Sequence, residues 1–295
     1  MISSYLTSWF RGPQPEDDDT YIRITYQSHI RKINPHTYYS SDSGWECMLR
    51  VLQMAVANLL YKRDEATLNT IATLFWDNSL LPFSIQTVTA LSKEMYPGKK
   101  KGEWYTPCEA SFLLKRTLEN FNEGYRVNVA NDNSLFLSEI NTDRDDILLC
   151  INCRLGLNKP EPQYLDTLAQ MMEMRQFFCI MGGTPKYAHL FLKHKTGMMG
   201  YLDPHETKKA PESEESVLSK AKDMVQKLQW IKRDKISSSM CLVYVMKKEE
   251  VGEFWKELNA VKDAQGAAFF LYIEDQKPEL DMEEGVVELD IDEAS

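Results

Sequence analysis

The sequence predicts an α+β fold, and three observations carry that reading. Helical apolar spacing recurs through the first half of the 295 residues, short strand-like runs take over after residue 125, and the two patterns segregate instead of alternating as βαβ units do. With 43% hydrophobic and 11% aromatic residues, the chain has enough apolar mass to bury one large domain core.

Each element follows from its own spacing. From Cys47 the positions Leu49, Leu52, Val56, Leu59 and Leu60 recur at helical intervals behind the breakers Ser43 and Gly44, which predicts a helix starting close to Cys47. A second helix carries Leu68, Ile71, Ala72 and Phe75, and a third begins near Ser84 with Ile85, Val88 and Leu91. Thr106-Pro107-Cys108-Glu109 has capping-box spacing with Pro in the first helical position, so a fourth helix opens there and runs through Phe112 and Leu113. The strand-like runs are "YRVNVA", "ILLCINC", "FFCIMGG", "AHLFLKH", "MMGYLDP" and "CLVYVM". A helix bearing Val251, Phe254, Trp255 and Leu258 follows the last of them. The stretch "ESEESVLSKAKDMVQK" fits a helix or a charged loop, and no internal repeat is present.

Both ends lack sustained periodicity, residues 1–20 containing "GPQPEDDD" and the far end being acid-rich. The expected organisation is a mobile tail over 1–20, one folded domain over 21–262 and a flexible acidic tail over 263–295. The net charge of -10 sits in that tail, since residues 274–295 hold ten Asp or Glu against one Lys. No basic stripe remains to displace phosphate counterions, so nucleic acid is not an expected partner. No signal-peptide pattern and no apolar run of spanning length is read, which predicts a soluble cytoplasmic protein. The six cysteines lie in apolar surroundings and are expected to be reduced thiols.

The stretch "SGWECMLR" raises the chemical question. A thiol at a helix N-terminus feels the partial positive charge of unpaired N–H groups, which favours the thiolate; a lone helix-start cysteine is also a common inert core filler. A base would decide between the two. In "YLDPH", Pro204 biases Asp203 toward an extended conformation, and residues two apart in extended chain face the same side, so Asp203 and His205 can share one space. That is the orienter and base of a triad in which Cys47 would be the nucleophile, although an Asx-type turn with an exposed His fits "DPH" equally. Cys150-x-x-Cys153 has the spacing of a metal or redox pair, but in a strand its side chains point to opposite faces and no second Cys pair accompanies it, so no metal is expected. His189 and His194 read as satisfied structural histidines on opposite strand faces.

"SSDSGWECMLR", "KGEWYTP", "RLGL", "MGGTPKYAHLF" and "GYLDPHET", in that order, together resemble the autophagin family, the autophagy-related cysteine endopeptidases of papain-like fold. The resemblance runs from about residue 20 to about residue 260. It implies a papain-like fold with a helical N-terminal half, an antiparallel sheet in the C-terminal half and a small family-specific insert. It also implies Cys47 as nucleophile, His205 as general base and acid, and Asp203 as orienter. Tyr26 in "ITYQ" matches the family tyrosine whose hydroxyl helps to form the oxyanion hole. Trp104 and Pro185 match two lids over the catalytic cysteine, flanking a slot that admits glycine at the scissile position. The implied partners are a GABARAP-type ubiquitin-like modifier and its phosphatidylethanolamine conjugate, acted on by a monomer without cofactor. Phe270 to Ile273, before Glu274 and Asp275, has the aromatic-x-x-aliphatic form of the family's modifier-binding tail motif, although "AAFFLYI" also fits a terminal element packed on the core. Tyr21 to Ile24 has the same form but leads into the domain body.

One position departs from the family pattern. Where "GWGC" carries glycine before the nucleophile, this chain has Glu46. A carboxylate there either raises the thiol pKa and narrows the approach to the oxyanion hole, or points to solvent without effect. The first case would leave a weakened or inactive modifier-binding homologue.

Overall fold

The computed structural model describes residues 19–30, 40–63, 66–77, 81–100, 102–121 and 124–278. In chain order, β1 (Thr20–Ile22) and β2 (Tyr26–Ser28) precede four helices, α1 (Cys47–Lys62), α2 (Leu68–Leu74), α3 (Ile85–Met95) and α4 (Pro107–Phe121). Then come β3 (Tyr125–Ala130), β4 (Ser134–Phe136), β5 (Asp146–Arg154), α5 (Pro162–Glu173), β6 (Phe177–Thr184), β7 (Tyr187–Lys195), β8 (Met198–Leu202) and β9 (Thr207–Lys209). The rest are α6 (Glu214–Ser219), β10 (Val225–Lys227), β11 (Gln229–Lys232), β12 (Ser239–Lys247), α7 (Val251–Gln265) and β13 (Tyr272–Glu274).

The helix starts follow the expected capping chemistry. Ser84 accepts from the Thr87 N–H at 3.2 Å, and Thr106 and Glu109 cap each other, Thr106 N–H to Glu109 Oε2 at 2.8 Å and Glu109 N–H to Thr106 Oγ1 at 3.1 Å.

Seven strands form one sheet in the order β11-β8-β7-β6-β12-β5-β3, antiparallel except where the edge strand β3 runs parallel to β5. Its two faces are covered separately. Leu148 and Cys150 of β5 with Cys241, Val243 and Val245 of β12 pack against α1, α3 and α4. Their neighbours Leu149 and Ile151, with Leu242 and Tyr244, pack against α5 and α7. Burial on both faces explains why "ILLCINC" and "CLVYVM" read as continuous apolar runs instead of alternating ones. Cys150 and Cys153 fall into different cores, on opposite faces of β5.

The structure departs from the expected organisation in three places. Helix α5, with Leu165, Leu168 and Met171 buried, interrupts the strand-rich half, its Pro162 standing at a helix N-terminus. The run with two readings forms the short helix α6 and, after a 3-10 turn, β10, which pairs with β1. The folded body also passes the boundary expected at residue 262. Helix α7 ends at Gln265, β13 pairs with β4, and Phe270, Leu271 and Ile273 are buried in the second core. Those apolar residues have a core to fill, so the tail assignment fails for 263–278; residues 1–18 and 279–295 lie outside the described residues. Ile273→Ala is expected to cost about 2–5 kcal/mol of stability. Urea unfolding reads this directly, and a cost below about 1 kcal/mol would contradict the packing.

Candidate active site

Three segments bring the candidate residues together. Cys47 is the first residue of α1, a helix buried along nearly its whole length beneath β6 and β7. Asp203 and His205 follow the end of β8, and β9 pairs in parallel with β2, setting Tyr26 opposite Thr207. The Tyr26 N–H donates to Pro204 O at 3.0 Å, and the Tyr26 and His205 rings meet edge-on with centroids 5.5 Å apart.

The electrostatics suit a thiolate. The Asp203 carboxylate accepts from the His205 backbone N–H at 2.9 Å and pairs with ring Nδ1, the same-side arrangement expected of "DPH". Burial pushes the Asp203 carboxyl up, but these bonds from His205 outweigh it and hold it below the ordinary range. Burial likewise opposes the charged form of His205, yet its bonds to Asp203 and Cys47 raise the imidazole to about 9. Burial also works against the Cys47 thiolate. Hydrogen bonds from His205, from the Ala188 backbone and from Tyr26, with the charge of His205, nevertheless bring the thiol below its ordinary value. Tyr26 is pushed up, first by burial and then by the charge on Cys47, so its hydroxyl stays protonated and available as a donor.

Thiolate and imidazolium therefore coexist over a range of pH. Alkylation of Cys47 by iodoacetamide is expected to become fast below the ordinary thiol range of about 8–9. Acid-assisted turnover is expected to fall as pH rises through about 9 and His205 loses its proton. A single alkylation step at the ordinary thiol value would sink the ion-pair account.

Glu46 does not point to solvent. It is fully buried, with Oε1 accepting from Thr89 Oγ1 of α3 at 3.0 Å, and its side chain caps none of the N–H groups opening α1. Burial, reinforced by Asp42 and opposed by Arg50, pushes its carboxyl well above the usual range and favours the neutral acid. The first-turn N–H dipoles thus face Cys47 with no carboxylate cap upon them.

Beneath the site lies a buried charge cluster. Arg50, on the first turn of α1, pairs with Asp42 through Nε and with Asp77 through Nη2 at 2.8 Å, and its Nη1 donates to Gln53 at 2.9 Å. Asp42 also accepts from the Gln27 N–H at 2.7 Å, and Asp77 from the Ile85 N–H at 3.0 Å. One guanidinium therefore ties the helix that begins at Cys47 to the strand bearing Tyr26 and to α3.

Trp104 and Pro185 lie on exposed segments joined to this region through Gly44 and through the β6–β7 hairpin. The Trp104 indole N–H donates to Gly44 O at 3.1 Å, which sets a half-exposed aromatic beside the approach to Cys47. Pro185 is exposed in the two-residue β6–β7 connection, followed by Lys186 at φ 74°, the Pro-then-positive-φ pattern of a type II turn. Here glycine is obligatory: a Cβ on Gly183 would stand 2.0 Å from Tyr187 O, in the hairpin that presents Ala188 to Cys47. Phe270 and Ile273 are elsewhere, packed in the second core, and in this conformation neither side chain is available to a partner's pockets.

Several contributors went unread. The Ala188 backbone donor has no side-chain signal at all. Tyr187, exposed and edge-on to His205 with centroids 5.1 Å apart, had only its adjacency to the "GGTP" turn to mark it. Arg23 donates from Nε to Asp203 O at 2.7 Å across 180 residues of sequence. His189 is not the satisfied structural histidine expected, because its Nδ1 has no hydrogen-bond partner and lies 3.7 Å from Asp203 Oδ1. Its strand reaches the site only in three dimensions.

Comparison with known proteins shows the family. The family model described as the peptidase C54 catalytic domain matches residues 15–258. The "Probable cysteine protease atg4" of Schizosaccharomyces pombe is 34% identical over 208 residues, 68% of this chain and 64% of that protein. The "Probable cysteine protease ATG4" of Chaetomium globosum is 25% identical over 287 residues, 89% of this chain and 63% of that protein. A relative named "Probable cysteine protease atg4" from Aspergillus niger is 26% identical over 315 residues, 97% of this chain and 76% of that protein. The chain thus spans a little under two thirds of the length of the first two. Among the described residues, no helix is long and apolar enough to cross a membrane.

Proposed function

The chain belongs to the peptidase C54 family, and from that premise we propose that it is a cytoplasmic cysteine endopeptidase cutting after the C-terminal glycine of an autophagy ubiquitin-like modifier. The observation that carries this reading is the convergence of Cys47, His205, Asp203 and Tyr26, with the thiol pulled down and the imidazole pushed up. The Cys47 thiolate attacks the glycyl carbonyl, and the oxyanion takes hydrogen bonds from the Tyr26 hydroxyl and the Cys47 backbone N–H. Collapse expels the amine, which leaves with the proton of His205 Nε2. A water molecule, deprotonated by the same nitrogen, then attacks the thioester and releases the glycine carboxylate, returning a proton to the thiol–imidazole pair.

The same step serves two substrates, the modifier precursor, whose leaving group is a peptide amine, and the phosphatidylethanolamine conjugate, whose leaving group is the lipid amine. Trp104 and the Pro185 turn bound the slot, and a glycine without Cβ passes where a side chain would collide. No metal or organic cofactor enters these steps.

The test is intact-mass analysis of a modifier precursor extended beyond its glycine, incubated with this protein and with Cys47→Ala. Loss of the extension with the native protein alone supports the peptidase. Binding without cleavage favours the modifier-binding homologue. Glu46 decides the reason: because it is held neutral and turned toward Thr89, Glu46→Gln is expected to keep the cleavage rate within about threefold. A rise of tenfold or more on that substitution would show that the carboxylate restrains Cys47.

A further inference from the structure

We propose that His189, outside the chain of Cys47, His205 and Asp203, is a positioning residue that steadies the Asp203 carboxylate against His205; the proposal rests on the peptidase reading above.

His189 is the third residue of β7, opposite Gly182, with its side chain almost wholly buried. Its Nδ1 lies 3.7 Å from Asp203 Oδ1, the oxygen that already takes both the backbone N–H and the ring Nδ1 of His205. Tyr201 stacks obliquely on the His189 ring at 4.7 Å and His205 stands edge-on at 5.5 Å. A buried polar atom with no hydrogen-bond partner is a cost that well-packed strands avoid, and here it is aimed at the carboxylate of the catalytic pair.

The tautomer follows from the other ring nitrogen. We assign Thr184 Oγ1, 3.4 Å from Nε2, as the donor through its hydroxyl hydrogen, which puts the single ring proton on Nδ1, facing Asp203. Burial keeps this imidazole neutral by lowering it to about 4, against the pull of Asp203 and with that of His205. The titratable groups facing the ring are Asp203 and His205 beyond β8 and the Tyr201 phenol on β8, which is itself pushed up by burial and by Asp203. A neutral ring next to an imidazolium adds no charge repulsion, and its N–H dipole favours the ionised carboxylate.

At 3.7 Å the contact is longer than a hydrogen bond, so in the resting enzyme it acts as an oriented dipole. Bonds of this kind commonly tighten once substrate is bound. The Asp203 side chain is partly open to solvent on its remaining side, so a second donor from the interior limits its rotation toward water. Without that donor the carboxylate still exists but no longer keeps His205 in line with Cys47.

The experiment compares His189→Phe, His189→Asn and His189→Gln in the full chain. Phe keeps the ring shape; the Asn amide N–H reaches the position of Nδ1, whereas Gln reaches that of Nε2. Two readouts are used, cleavage of the modifier precursor and the pH profile of Cys47 alkylation by iodoacetamide, which needs no substrate. Phe and Gln are expected to lower kcat roughly 10- to 100-fold with KM within twofold, the scale of a small misplacement of a catalytic group. Both should move the alkylation step toward the ordinary thiol range, while Asn returns kcat to within about threefold and restores the profile. Equal behaviour of Asn and Gln, or variants with unchanged profiles, would overturn the proposal and leave His189 a packing residue. Where Phe does not fold, the Asn–Gln comparison decides alone. If the native protein fails to cleave the precursor, the function reading falls, and the alkylation profiles still test His189.

Discussion

Replacing His205 with Ala is expected to lower turnover of the modifier precursor by roughly 10⁴-fold or more, the scale on which triad members act as a unit. The physical reason is double. The leaving amine loses its proton donor, and Cys47 loses both its hydrogen bond to the imidazole and the positive charge that holds its pKa down. Burial of the thiol, now opposed only by the Ala188 backbone and Tyr26, then returns it toward the neutral form. The loss should therefore show in a measurement that involves no substrate: rapid alkylation of Cys47 near neutral pH should disappear. The Asp203→Asn variant should reproduce much of both effects, since its amide offers the ring Nδ1 no carboxylate. A His205→Ala protein that kept fast alkylation at neutral pH would show that the helix N-terminus alone activates the thiol, and the ion-pair account would fail.

The second large effect concerns stability and falls on Arg50. Arg50→Met removes the one guanidinium that meets Asp42 and Asp77 among the described residues, all three groups being fully buried, and leaves two interior carboxylates without that counter-charge. Breaking a buried pair from one side costs about 3–5 kcal/mol, whereas the intact pair is worth far less against an apolar replacement. A loss of that size corresponds to a fall in melting temperature of roughly 10 °C. Activity should fall beyond what unfolding explains, because Asp42 also fixes the Gln27 N–H next to Tyr26. Thermal unfolding and cleavage below the transition separate the two effects. Arg50→Lys is informative where Met does not accumulate: a single ammonium cannot serve Asp42, Asp77 and Gln53 together, so most of the loss should persist. A change in stability under about 1 kcal/mol for either variant would mean that the carboxylates are not held as charges.

The same cluster shows how far Glu46 was open to a reading of the sequence. Its adjacency to Cys47 was plain, and so were the two consequences weighed for it, repulsion of a thiolate or exposure to water. Neither considered burial beside Thr89, because Thr89 is 43 residues away and only the packing of α3 against α1 makes it a neighbour. A reading along the chain treats adjacent residues as interacting, yet at a helix start successive side chains diverge, and each answers to whatever element lies opposite.

Phe270 and Ile273 show the complementary failure. Aromatic-x-x-aliphatic before acidic residues is a local pattern, and it cannot distinguish a segment waiting for a partner from one that already fills a core. Packing on the core was the alternative open to "AAFFLYI", and the second core between α5, α7 and the sheet, with α5 not read as a helix, is what decides for it.

What the sequence by itself determined was the chemistry and the local geometry. The helix at Cys47, the caps of α3 and α4, the strand runs, and the same-side pairing of Asp203 with His205 all depend on contacts within a few residues, where spacing and rotamer preference decide. Only the tertiary structure decided the Ala188 donor, the inward turn of Glu46, the Arg50 cluster and the approach of His189 to Asp203. Those contacts join segments dozens to more than a hundred residues apart. Their partners are chosen by which faces of the sheet and helices are buried together, and burial in turn sets the electrostatics, because a charge removed from water is tolerated only beside the group that the fold supplies.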